Sequence, residues 1–302
     1  MFVRYNHYRI YKEKSYNGSI WIHLFIMGLG IKNTLSQMSE WGDIPFLEYL
    51  WSKAYLYFTY YHEYVDFAEQ KRKKNFDLKK NYFCNIAWYL QLWASDNLKS
   101  RETSWPYDLP TPSVYDNRSN KYIRLNKNGH RKLERYILNA NEAFLYAIAW
   151  IFHHELAHYS LGHSRDQKQE FSGTNTGTKD EKDADIQAVK MILEKKNDET
   201  QITNCTLGIV IALLSLQASA AETSLIPKKI KAHPEAYNRL YNCLDNIPEL
   251  DDNHKIYAFG ICIMQHQLAQ HFSVDFGQQK NTLKETFHEG LYKFNSYFRG
   301  IV

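Results

Sequence analysis

Residues 143–163 read AFLYAIAWIFHHELAHYSLGH. The first ten are apolar on nearly every face, so a helix through them must run deep in a core. Yet three histidines and a glutamate follow at once, at positions 153, 154, 158 and 155. Such groups are costly to bury without partners. Whatever this chain folds into must supply something that compensates them.

The spacing supplies the answer. His154, Glu155 and His158 form the pattern His-Glu-x-x-His. Residues four apart share one helix face, so the two imidazoles can present nitrogens to one zinc ion. Glu155 lies beside them and can take the proton of a water held there, then pass it to a leaving amine. Zinc also lowers the pKa of such a water to roughly 7. Gly162 provides a helix stop just past the motif. The plain alternative is an amphipathic helix whose polar face happens to carry these residues.

A catalytic zinc needs a third protein ligand and an open position. Glu181 in EKDAD (181–185) is the first candidate. Asp185, four residues on, shares its helical face and can accept a hydrogen bond from the far nitrogen of His154, fixing the tautomer. Against this, Thr178 and Glu181 also fit a capping box, in which the glutamate bonds back to the helix start. His163 is a second candidate, but Leu161 and Ser164 stand where a metzincin has its glycine and histidine. His153 points about 100° away from His154 and is expected to be packed or hydrogen bonded.

Elsewhere the chain is patterned mainly for helices. Long apolar-periodic stretches cover 44–70, 81–98, 131–161 and 255–272, and a shorter helix is expected from Glu181 to about Lys196. Residues 205–224 suit a buried core helix better than a membrane span. Residues 1–32, with a turn signal at Asn17-Gly18, suggest a small β element. Residues 100–132 and 164–180 are rich in turn-forming residues and read as connections. The basic run 71–80 is expected to be a solvated helix end.

Composition narrows the class. The 302 residues carry 37 Lys and Arg against 33 Asp and Glu, a net charge of +4, which makes no case for a nucleic-acid partner. The four cysteines, Cys84, Cys205, Cys243 and Cys262, are widely scattered and suit buried thiols in a reducing compartment. The N-terminus lacks a signal-peptide pattern. A cytoplasmic protein is expected, with peripheral membrane association left open. The 23 tyrosines are enough both to fill a core and to line a binding surface.

His-Glu-x-x-His followed by Glu-x-x-Ala-Asp resembles the gluzincin arrangement of thermolysin-like, HtpX-like and CAAX-prenyl-type peptidases. HPEAYNRL (233–240) is similar to a His-Pro…Arg-Leu segment of the last group, although those enzymes carry several transmembrane helices. Over its whole length the chain resembles the Lit-type phage-exclusion peptidases. The resemblance rests on the length, the HHELAH context and the EKDAD helix. It implies an α+β, predominantly α-helical fold, with a zincin-like helical core and a small N-terminal β element. A single metallopeptidase domain over 1–302 is expected, its N-terminal part at 1–132 and its zinc-binding part at 133–302. The implied metal ligands are His154, His158 and Glu181, with Asp185 behind them and Glu155 as catalytic base. His233, with Arg239 as an alternative, is the candidate for oxyanion stabilisation. The implied substrate is a protein, elongation factor Tu in that family, with an activating peptide or phage protein as a further partner. Two rival readings stay open: a binding protein with a structural zinc, and a zinc-dependent regulator that cleaves a repressor.

Overall fold

The computed structural model describes residues 44–69, 80–100, 104–106, 108–112, 125–163, 176–222, 236–271 and 280–300. Among these residues are eight α-helices and no strand. They are α1 (Ile44–Glu69), α2 (Tyr82–Ser100), α3 (Lys127–Ser160), α4 (Thr176–Leu193), α5 (Glu199–Glu222), α6 (Ala236–Asp245), α7 (Lys255–His271) and α8 (Leu283–Gly300). The predominantly helical class therefore holds. The expected β element at 1–32 lies outside the described residues, as does all of the basic run except Lys80.

The longest helix, α3, organises the rest. Its 34 residues span about 50 Å at 1.5 Å per residue. Asn126 caps it, with the side-chain oxygen accepting from the Gly129 amide at 2.8 Å. The apolar face (Leu133, Ile137, Ala140, Ala147, Ile151) is buried, and the helix packs against α1, α4 and α5. Helix α1 is covered nearly all round: Leu50, Ala54 and Tyr57 are inaccessible to solvent. That is why its sequence shows little polar alternation. Helix α5, the most apolar, is long enough to cross a membrane, but 72% of the qualifying stretch is buried against its neighbours. Its apolar surface is used inside the bundle, as expected of a core helix.

The polar first half of α3 is held by one buried carboxylate. Glu63 of α1 accepts hydrogen bonds from Tyr136 Oη at 2.6 Å and Asn81 Nδ2 at 2.7 Å, and pairs with Lys132 Nζ at 2.6 Å. A buried carboxylate satisfied this fully locks α1, the start of α2 and α3 in one register.

Three element boundaries differ from the sequence reading. Helix α4 begins at Thr176, not near Glu181, so Thr178 lies inside the helix and cannot cap it. Helix α6, which begins two residues after Pro234, was not among the expected helices. Helix α8 was not anticipated, although Phe287, Leu291 and Phe294 bury at helical spacing.

Gly208 marks the closest approach of α5 to α3. A Cβ there would lie 2.5 Å from the Tyr146 carbonyl carbon and 2.8 Å from the Ala147 amide nitrogen. Both are backbone atoms, which cannot swing aside. Glycine to alanine within a helix ordinarily stabilises by about 0.5–1 kcal/mol. Here Gly208→Ala is expected to reverse that sign and destabilise by about 1–3 kcal/mol through overpacking. Thermal denaturation of the variant should show a lower Tm; a raised one would mean the two helices do not cross so closely.

Candidate functional site

Three helices converge on the second half of α3. Helix α4 lies along it, and α6 packs on α4 and α5. His154 faces inward at 6% exposure, while His158, one turn on, is half-buried. Helix α4 presents Glu181 at 6% exposure and Asp185 at 0% to the same place. The early start of α4 explains the orientation, because Glu181 is an interior helical residue with Asp185 directly above it.

His154 Nε2 and His158 Nε2 lie 3.1 Å apart. Glu181 bridges them, with Oε2 3.4 Å from His154 Nε2 and Oε1 3.2 Å from His158 Nε2. These three residues form a buried donor group that could hold a metal ion. It is the only such group among the described residues. Two nitrogens and a carboxylate packed this tightly repel one another through their lone pairs unless a proton or a cation stands between them.

Behind the donors stands a second layer of charge. His154 Nδ1 meets Asp185 Oδ1 at 2.9 Å. Arg239 of α6 grips the same carboxylate with two hydrogen bonds, Nε to Oδ2 at 2.9 Å and an Nη2 hydrogen to Oδ1 at 2.8 Å. Its Nη1 lies 3.6 Å from Glu181 Oε2. Nη2 also rests 3.3 Å from each nitrogen of the His154 ring, the distance of a group packed against the ring. Trp150, one turn before His154, completes the wall: its indole stacks on the imidazole at 5.6 Å, and the guanidinium sits 5.7 Å from its ring centre.

The titration of these groups follows from that geometry. Burial pulls His154 toward its neutral form, but hydrogen bonds to Asp185 and Glu181 outweigh it and raise its pKa above the ordinary imidazole value. Burial likewise pushes Asp185 upward, but His154 and Arg239 win and hold it below the usual carboxylate range. Arg239 is raised despite its burial, chiefly by Asp185.

The other sequence candidates fall in different places. Glu155 is half-buried and has no hydrogen bond or ion pair among the described residues. Among the described residues its carboxylate is thus uncommitted, one position along α3 from His154. His153 turns back on its own helix, Nδ1 to the Ala149 carbonyl at 2.7 Å. Arg239 was a candidate for the oxyanion; the structure turns its guanidinium to Asp185 and Glu181 instead. The signal for that role was legible: Arg239 shares a buried helix face with Leu240, Cys243 and Leu244, so its charge required a carboxylate partner. His163 meets His158 through Nδ1 atoms 3.0 Å apart, a contact nothing in the motif announces. His233 lies outside the described residues, three positions before α6.

The peptidase U49 family matches over residues 42–260, which include every donor and Arg239. The "Cell death peptidase" of Escherichia coli (strain K12) is 29% identical over 204 residues, 67% of this chain and 61% of that protein. The chain thus spans less than two thirds of this curated relative. No solved structure matches. Because the family match covers well over half of the 302 residues, the chain belongs to the peptidase U49 family.

Proposed function

We propose that this protein is a cytoplasmic zinc endopeptidase that hydrolyses a peptide bond in one specific protein substrate. The observation that carries the reading is the convergence of His154, His158 and Glu181 from two helices, backed by Asp185 and Arg239. Two histidines and one glutamate are a catalytic zinc set. Donors about 2.0–2.2 Å from a tetrahedral ion stand roughly 3.3–3.6 Å apart. The two imidazole nitrogens stand 3.1 Å apart, and each lies 3.2–3.4 Å from one of the two Glu181 oxygens, close to that edge; the choice of zinc rests on the two nitrogen donors. The charges point the same way: two buried carboxylates, Glu181 and Asp185, face one guanidinium, which leaves a net negative site that attracts a cation.

When bound, zinc supplies Lewis acidity that polarises the scissile carbonyl and acidifies a water. The chain's own residues do the rest. Asp185 accepts the Nδ1 proton of His154 and so commits its Nε2 lone pair to the metal. Arg239 keeps Asp185 ionised and in place. Glu155 takes a proton from the attacking water as the C–O bond forms, and returns it to the amine nitrogen as the C–N bond breaks. His233 is the residue assigned to donate to the developing oxyanion, on the resemblance of HPEAYNRL to the peptidase segment.

The resemblance to Lit-type peptidases and the name of the Escherichia coli relative support a role in cell death during phage exclusion, with elongation factor Tu as substrate and a phage protein or peptide as trigger. The structural-zinc alternative requires a fourth protein donor. The donor group contains three residues among those described, and His163 engages the far nitrogen of His158, which argues against it.

Two measurements test the reading. Purified Glu155→Gln should retain one zinc per chain by metal analysis but lose cleavage of elongation factor Tu by about 10²–10⁴-fold. Glu181→Ala should lose the metal as well. Full cleavage by Glu155→Gln would sink Glu155 as the base, no cleavage by zinc-loaded wild type would sink the enzyme reading, and zinc retained in Glu181→Ala would sink the ligand set. Asp185→Asn should weaken zinc binding about 10–100-fold in a chelator competition, because the carboxylate that orients His154 loses its charge and Arg239 loses its partner.

A further inference from the structure

The two zinc-facing imidazoles are supported in different ways. Asp185 backs His154 directly. His158 instead turns Nδ1 toward Nδ1 of His163, 3.0 Å away, with the rings crossed at 67°. Two lone pairs cannot face each other at that distance, so one nitrogen carries the proton. His158 Nε2 is the atom that faces Glu181 and the Nε2 of His154. A lone pair is needed there to bind a cation, which leaves the His158 proton on Nδ1. His158 therefore donates and His163 accepts. The proton of His163 then belongs on Nε2, which looks toward Asp180 Oδ1 at 3.7 Å. That is too long for a hydrogen bond, but near enough for the carboxylate to favour this tautomer.

The backbone brings His163 to this position. Helix α3 ends at Ser160, and Gly162 follows in the left-handed region at φ 79°. A Cβ there would meet nothing within 4 Å, so glycine answers a backbone need and no steric one. The turn folds residue 163 back beside the last helical turn. Asp180 stands on α4 immediately before Glu181. His163 thus sits between the two helices that supply the donors.

We infer that His163 is a positioning residue for His158. It accepts the Nδ1 hydrogen, holds the ring so that Nε2 faces the metal, and is itself set in its tautomer by Asp180. This inference rests on the metal-binding reading of the site. Because His163 touches the side of the ring opposite Nε2, it supports a ligand and is not one.

The test compares metal-free wild type, His163→Phe, His163→Gln and Asp180→Asn for zinc affinity by chelator competition, alongside the Tm of each metal-free form. His163→Phe keeps a ring but has no acceptor, and should bind zinc about 10–100-fold more weakly. His163→Gln carries an amide oxygen that can accept the same hydrogen, and should recover most of the loss. Asp180→Asn should show a smaller loss. A purely structural role would lower the metal-free Tm in step with affinity and give no rescue by glutamine. Equal affinity of wild type and His163→Phe, or glutamine no better than phenylalanine, would overturn the inference while leaving the metal site intact. Wild type that binds no zinc would overturn the site itself and this inference with it.

Discussion

The site depends on a chain of buried charge, Arg239 to Asp185 to His154. Asp185 is wholly inaccessible and His154 and Arg239 nearly so. Burying a carboxylate costs several kcal/mol unless it is paired and hydrogen bonded. Both Asp185 oxygens accept from Arg239, and one also meets His154. No member can be removed without stranding another. Such a network fixes the imidazole plane more firmly than packing alone, because each hydrogen bond is directional and is strengthened by burial.

Helix α3 transmits that rigidity. Its first half is anchored through Glu63 to α1 and α2, and its middle is pressed against α5 at Gly208. Its second half carries the donors. The two histidines are therefore mounted on a helix held along its length, which suits a site where misplacement by an ångström would be expensive. Trp150 links the two requirements. It is buried in the core and at the same time forms the face on which His154 and Arg239 stack.

Much of this was legible in the chain because the relevant spacing is short. The apolar run before His153 marks a core helix, and residues four apart must share a face, so His154 with His158 and Glu181 with Asp185 follow from local geometry. Boundaries were less legible where patterning fades. Residues 164–180 are polar apart from Phe171 and the glycines, and no apolar periodicity signals that α4 starts at Thr176. Contacts across the fold were the least legible. Arg239 lies 54 positions from Asp185, and no periodicity links them. The one available hint was a charge on an otherwise apolar helix face. His163 was set aside as a ligand on spacing alone. Its contact with His158 depends on the left-handed turn at Gly162, a backbone property that a residue list does not display.

The distribution of burial also gives the site a direction. Trp150, Asp185 and Arg239 close the side behind His154. On the other side His158 and Glu155 are half-buried, and Tyr159 and Leu161 stand exposed at the end of α3. Among the described residues, exposure thus rises from His154 toward the end of α3. A group meant to deprotonate water belongs on the wet side, and a group meant to hold a ligand by charge belongs on the dry side, where its field is least screened. The two carboxylates of greatest chemical interest, Glu155 and Asp185, are divided in this way. The buried side is built by Arg239 of α6 and Asp185 of α4, and Glu155, the next residue after His154, turns away from it on α3.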